Sequence, residues 1–502
     1  MAYVIGIDSS TTATKAVVWD RQGRAVAEGR SEFALALPRP GWHEQDPEDW
    51  WRSCVAAMTQ ALESVDSSGI EALCITHQRE TFACVDEQGR PVRPAIVWMD
   101  VRATDQVAAL GSEEIHRLTG KPPDTTPALY KLLWLREHEP ETLERARWVV
   151  DVHAFVVHRL TGVWRTTTAC ADPLGLIDMH RGDWSDDLLA RVGLSRERVP
   201  ALVAPGEVIG ELSPAAAERV GLPAGLPVVG GAGDGQCAGL GVNATKPGHA
   251  YINLGTAIVA GTINERYAWH RAFRTLTGAV PGTYLFETLL QGGTYTVNWF
   301  LERIAVMDAA SLGLGLRDVD VLETAAARLG PGAEGLLLVP YLASAQTPYW
   351  DPAARGMLFG LAGHHGRQHI FRAILEGIAF EQRLAFAEME PQLDKPIDLL
   401  LTTGGGSRSA LWRHIVADVT GKTVVACREA ETTSLGAGMQ AAAAVGWYGS
   451  VRDAAEAMSG VGAQNRPDPT AAARYDELFD VYRQIYPRTA PLHEALRRAT
   501  EE

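Results

Sequence analysis

The chain has 502 residues, long enough for two domains of ordinary size, each with its own core. Hydrophobic residues at 46% and charged residues at 21% are the balance of a globular protein, and no apolar run approaches the ~20 residues needed to span a bilayer. The net charge of −15 argues against nucleic acid as the main partner, since phosphate backbones are bound by basic surfaces.

The first segment, Tyr3 to Asp20, reads as a strand from Val4 to Ile7, a polar turn from Asp8 to Thr12, and a strand from Ala16 to Asp20. A turn at Arg21–Arg24 and a third alternating run through Phe33 complete a meander. The chain enters this strand at Tyr3 without a basic and hydrophobic leader of signal type, so a cytoplasmic protein is expected. The cysteines agree. Cys54, Cys74, Cys84, Cys170, Cys237 and Cys427 are scattered with no CxxC pair, the pattern of reduced thiols.

Helical periodicity follows from Pro47 to Val65, a hairpin signal surrounds Gly89, and a second helical stretch runs from Thr126 to Ala146 with Leu129, Leu132, Leu133 and Leu135 on one side. Strand groups alternating with helices define an α/β class. Further on, "LPVVGGAGDGQCAGLG" is a strand running into a Gly-rich turn with one acid, Asp234. From Gly248 to Tyr267 the plan of the first segment recurs, with Asn253–Thr256 in the place of Asp8–Thr11. One fold used twice is expected, divided near residue 245 into 1–245 and 246–502, with two lobes closing on a shared cleft. A third Gly-rich turn, Gly404–Gly406, lies between an apolar strand and a helix.

Small residues in a strand-to-strand turn leave backbone N–H groups free to converge on an anion, and hydroxyls add donors. By that chemistry the Asp8–Thr12 turn is a phosphate cradle, with Lys15 adding positive charge and Asp8 able to hold a magnesium ion. A plain polar hairpin turn has the same composition. The second hydroxyl turn, Gly255–Thr256, favours the cradle, because clamping a polyphosphate from two sides requires one turn from each half.

With these pieces in view the sequence resembles the FGGY family of carbohydrate kinases along essentially its whole length. The most specific match is "GMLFGLAGHHGRQHIFRAILEGIAF", Gly356 to Phe380, with Gly360, His369 and a helix expected to end in an acid at Glu376. "WHEQDPEDWW" and "YWDPAARG" are also family-like. The resemblance implies two actin-like, ribonuclease-H-like domains, an N-terminal one binding sugar and carrying the base and a C-terminal one binding nucleotide. ATP and Mg²⁺ would lie between them, and the product would be a phosphorylated sugar or polyol. It further implies Asp8 as the metal-organising acid, Thr11, Thr12 and Lys15 as the first phosphate loop, and Gly255 and Thr256 as the second. Gly405 and Ser409 fall where the adenosine end is held, and Asp234 matches the general base. A turn-capping aspartate is the bland reading of the same position.

On the substrate side, Gln78-Arg79-Glu80-Thr81 and Trp98 look like glycerol kinases, whereas "DTTPALYKLLWLREHEPE" and "GGGSRSALWRHIVAD" read more like xylulokinases. Thr126 and Gly235 stand where the glycerol pattern has bulkier residues, leaving room for a longer substrate. The expectation is a ketopentose such as D-xylulose, with glycerol or a tetritol as the alternative, a homodimer as the assembly to test, and neither nucleic acid nor membrane as partner. The same architecture also serves actin-like and chaperone-like ATPase switches.

Overall fold

The opening segment folds as a meander: β1 (Tyr3–Ser9), β2 (Ala13–Trp19) and β3 (Ala25–Glu32), each antiparallel to the next. The computed structural model describes residues 1–305 and 317–500. On the other side of β1 lies β4 (Ile70–His77), parallel to it, and the sheet is extended by β5 (Val208–Glu211) and β6 (Pro227–Val229) in the order β5-β6-β4-β1-β2-β3. β1 and β4 are buried on both faces, which their continuous apolar runs require.

The second half repeats the plan. β7 (His249–Leu254) and β8 (Ile258–Asn264) are antiparallel, and β9 (Arg274–Thr277) and β10 (Tyr284–Leu290) follow. β11 (Leu399–Thr403) lies parallel to β7, β12 (Thr423–Cys427) parallel to β11, and β13 (Val461–Asn465) antiparallel to β12. The order is β9-β10-β8-β7-β11-β12-β13. Thus β7, β8 and β10 match β1, β2 and β3, while β11 and β12 match β4 and β6.

The helix Pro47–Leu62 begins with Asp46 capping the Glu48 N–H and proline in its first turn, and it buries Trp50, Cys54, Ala57, Met58 and Ala61. The stretch from Thr126 to Ala146 is two helices rather than one, Ala128–His138 and Pro140–Arg145. Pro140 drives the preceding Glu139 out of helical geometry, to φ −137° and ψ 55°. The helix expected to end at Glu376 instead runs from Arg367 to Met389. Glu376 is buried inside it, bonded by Arg372, Tyr475 and the Gly332 N–H, so its work is architectural.

Two helices join the halves. Asp234–Gly241 follows β6 and Thr432–Ala444 follows β12, yet the second packs on the first sheet through Leu435, Met439 and Ala442 against Val4, Trp19 and Cys74. The crossing is tight enough to demand glycine: a Cβ on Gly241 would lie 1.9 Å from the Thr432 carbonyl oxygen, and one on Gly436 2.0 Å from that of Cys237. The halves therefore share a core. All six cysteines are free, and among the described residues no helix is long and apolar enough to cross a membrane.

Candidate active site

The turn between β1 and β2 is closed by Ser10, whose N–H and hydroxyl both donate to the Ala13 carbonyl, at 2.9 and 2.8 Å. Thr12 accepts the Phe33 N–H through its carbonyl, and Thr11 accepts the Trp98 indole N–H on its hydroxyl at 3.0 Å. Asp8 and Lys15 face each other across the hairpin, so both side chains project from one face of the sheet. Lys15 forms an ion pair at 2.8 Å with Glu431, just before the helix Thr432–Ala444. Asp8 is pushed up to about 8, first by burial and then by the charges of Asp234 and Glu431, with Lys15 acting the other way. Its buried Oδ1 has no hydrogen-bond partner. A carboxylate so surrounded by acids suits a cation.

The corresponding turn of the second half, Gly255–Ala257, is held from behind: Thr294 N–H donates to the Gly255 carbonyl at 2.7 Å and Tyr295 N–H to that of Thr256 at 3.2 Å. Because β7 and β11 are parallel neighbours, the turns that follow them lie side by side. Gly404, at φ +83°, leaves no space for a Cβ, which would meet Asn253 Oδ1 at 2.3 Å, whereas Gly405 has open space around it. Ser409 caps the helix Ala410–Thr420, accepting from the Trp412 N–H and donating to Glu323 at 2.8 Å. Beside it a groove of about 780 Å³ is lined by Glu323, Leu411 and His414.

Asp234 is the first residue of its helix, where the helix N-terminus favours a carboxylate, and its side chain is 42% exposed. Arg79, 7% exposed, reaches Asp234 Oδ1 through Nε at 2.8 Å and both Glu287 oxygens through Nη1 at 3.0 Å. Glu80 sits in left-handed backbone at φ +59° and accepts from Arg274 Nη1 at 2.8 Å. Burial opposes ionisation of Glu287, but Arg79 and Arg274 overcome it and hold the carboxyl at about 2. Trp98, Asp124, Thr126, Thr256 and Gln346 line one cleft of about 420 Å³. Its wall is braced by the buried Lys131, which donates to the carbonyls of Trp98 and Thr126 at 2.9 and 2.8 Å.

Contacts thus link Asp8 to Lys15 across the hairpin, Lys15 to Glu431, Thr11 to Trp98 and Arg79 to Asp234, while Trp98 and Thr256 line the same cleft. Gln78 is turned inward instead: its amide donates to Gln45 at 2.9 Å and accepts from Thr81, and it is buried. Arg274, Glu287 and Tyr251 escaped the sequence reading. The available signal was a lone acid in the otherwise apolar "YLFETLL" and a lone arginine opening "RTLT". A buried charge in a strand requires a partner, but the partners lie about two hundred positions away.

The N-terminal domain of the FGGY family of carbohydrate kinases matches residues 3–241, and the C-terminal domain of the same family matches residues 250–445. The xylulose kinase of Bacillus subtilis (strain 168) is 29% identical, over 99% of both chains, and the gluconokinase of the same strain is 27% identical over 96% of this chain and 95% of that one. The crystal structure of ligand-bound xylulose kinase from Lactobacillus acidophilus superposes with a TM-score of 0.91 at 25% identity, covering 99% of this chain and 100% of that one. Both domains matched in order, on a chain whose two sheets repeat one plan, show that the protein belongs to the FGGY family of carbohydrate kinases.

Proposed function

We propose that this kinase transfers the γ-phosphoryl group of ATP to a hydroxyl of a neutral ketopentose, D-xylulose being the best single candidate, with Asp234 as general base. The observation that carries the reading is the environment of Asp234: an open carboxylate at a helix start, backed by the buried Arg79 guanidinium and close enough to Asp8 for their charges to interact. An alcohol attacks phosphorus well only if its proton is accepted as the bond forms, and Asp234 is the group available to take it. Lys15 and the N–H and hydroxyl groups of Thr11–Thr12 and Gly255–Thr256 would bind the phosphates from opposite sides. Gly405 would lie close to the nucleoside, where an open glycine lets a ligand approach the backbone.

The residues fit a hard cation. Asp8 has an orphaned oxygen, and among the described residues no group of three or more His, Cys, Asp or Glu could hold a metal ion unaided. Mg²⁺, which keeps waters and takes phosphate oxygens alongside one or two carboxylates, would be held by Asp8 and would neutralise charge on the phosphates.

Relatives named for xylulose and for gluconate resemble the chain almost equally, so the choice rests on electrostatics. Arg79 is paired with Asp234 and Glu287, Arg274 with Glu287 and Glu80, and the buried Lys121 lies 3.5 Å from Asp172. Both buried arginines there already hold carboxylates, and the buried Lys131 behind the cleft wall is taken up by the Trp98 and Thr126 carbonyls, which favours a neutral sugar over an aldonate. Thr126 and Gly235, small where glycerol kinases are bulky, favour five carbons over three. Free, mostly buried cysteines suit a reducing cytoplasm.

The test is ATP consumption by the purified protein against D-xylulose, other pentuloses, gluconate, glycerol and tetritols. D-xylulose or another ketopentose should give the highest kcat/KM. A preference for gluconate would overturn the electrostatic argument, and ATP turnover indifferent to any sugar would restore the ATPase-switch reading.

A further inference from the structure

The charge network on the sugar side crosses from one lobe to the other. Arg79 and Glu80 follow β4 of the first sheet, whereas Tyr251, Arg274 and Glu287 lie on β7, β9 and β10 of the second. Glu287, with 0% exposure, takes Arg79 Nη1 on both oxygens at 3.0 Å, Arg274 Nε on Oε1 at 2.7 Å, and the Tyr251 hydroxyl on Oε2 at 2.7 Å. Arg274 then extends Nη1 to Glu80. Arg79 is therefore held at two edges by two lobes: Nε by Asp234 from the first and Nη1 by Glu287 from the second. A planar guanidinium fixed at both edges cannot pivot. Glu80 is a non-glycine residue at φ +59°, a conformation that persists where surrounding contacts over-determine it, and its ion pair with Arg274 comes from the opposite lobe.

We propose that Arg274 and Glu287 are positioning residues of the sugar site: they hold Glu80 toward the substrate and Arg79 against Asp234, so the site is complete only while the two lobes are together. The functional meaning rests on the kinase reading above. Without Arg274, Glu80 loses the pair that aims its carboxylate, and sugar affinity falls. Without Glu287, Arg79 keeps Asp234 as its acidic partner and turns toward it, drawing the base away from the sugar hydroxyl, and turnover falls. Neither residue touches the phosphate turns, so nucleotide affinity is unaffected by either loss.

The experiment uses the full-length protein and four variants, Arg274→Gln, Arg274→Lys, Glu287→Gln and Glu287→Asp. It measures kcat, KM for D-xylulose (or the neutral sugar preferred in the screen), KM for ATP, sugar affinity by calorimetry, and thermal midpoints. Arg274→Gln should raise KM and the dissociation constant for sugar at least tenfold, with KM for ATP within twofold, and Arg274→Lys should fall between it and wild type. Glu287→Gln should lower kcat at least tenfold at an unchanged KM for ATP, and Glu287→Asp should recover part of it. Equal changes in both KM values, or lowered thermal midpoints with unaltered kinetics, would overturn the proposal. If the glutamine variants do not fold, the conservative pair decides it, with threefold changes in the same split. Calorimetry separates the two claims: wild type that binds sugar without phosphorylating it fails the kinase reading, whereas equal sugar affinity in wild type and the Arg274 variants fails the positioning role.

Discussion

Replacing Asp234 by alanine separates catalysis from stability, because the structure assigns the two to different partners of Arg79. The Asp234 side chain is 42% exposed, so the worth of its pair with Arg79 is screened by solvent to about 1 kcal/mol or less. Removing it does not orphan the buried guanidinium, since Nη1 keeps both Glu287 oxygens at 3.0 Å. The folded state should lose no more than that ~1 kcal/mol. Turnover should fall much further: a positioned general base contributes about 10²- to 10⁴-fold, or roughly 3–5 kcal/mol of barrier. Steady-state kinetics in a coupled ADP-release assay, alongside thermal unfolding and calorimetric ADP binding, measure all three quantities. The expected result is kcat down at least 100-fold, ADP affinity within twofold, and a small shift in midpoint. A variant that keeps more than a tenth of kcat, or that loses activity only in step with stability, would refute the assignment.

Three other perturbations follow from the same geometry. Asp8→Asn should raise the Mg²⁺ concentration needed for half-maximal activity at least tenfold, while metal-free ADP binding, read by calorimetry, stays close to wild type, because the orphaned buried oxygen of Asp8 is the group that would lose its cation. Gly436→Ala forces a Cβ to within 2.0 Å of the Cys237 carbonyl at the helix crossing and should destabilise the protein by about 1–3 kcal/mol in denaturant titrations, since backbone atoms must move. Glu381, bonded by the hydroxyls of Tyr341 and Tyr482, is raised by burial from 4.5 to about 7. The folded state holds this proton more tightly than the unfolded chain, so the contribution is full below pH 4.5 and disappears as pH rises through 7. A shift of that size is worth about 3 kcal/mol, and Glu381→Gln should flatten the corresponding slope of stability against pH; an unchanged slope would refute it.

Much of this protein could be read along the chain. Apolar runs bounded by hydroxyl-rich turns at Asp8–Thr12 and Gly255–Thr256 announced the same strand pair twice, because a buried strand and a tight turn are local matters of side-chain type and backbone freedom. Asp234 stood out for a similar reason, as a lone acid among glycines. Gln78 misled, because a polar residue next to Arg79 and Glu80 looks equally fit to line a pocket or to brace one. Only the bonds to Gln45 and Thr81 decide which. The break at Glu139 was written in Pro140, but the continuous leucine pattern concealed it.

Residue chemistry and spacing by themselves determined the α/β class and the internal repeat, and they singled out Asp234 and the turns suited to phosphate. Tertiary structure alone decided that the helix Thr432–Ala444 lies on the opposite half's sheet, that Lys15 meets Glu431, and that Arg79 and Glu80 are gripped by Glu287 and Arg274. The physical reason is separation: a strand's period or a turn's glycine acts over a few residues, whereas a buried charge must be neutralised in space, and nothing in the local pattern says which distant residue folding will place beside it.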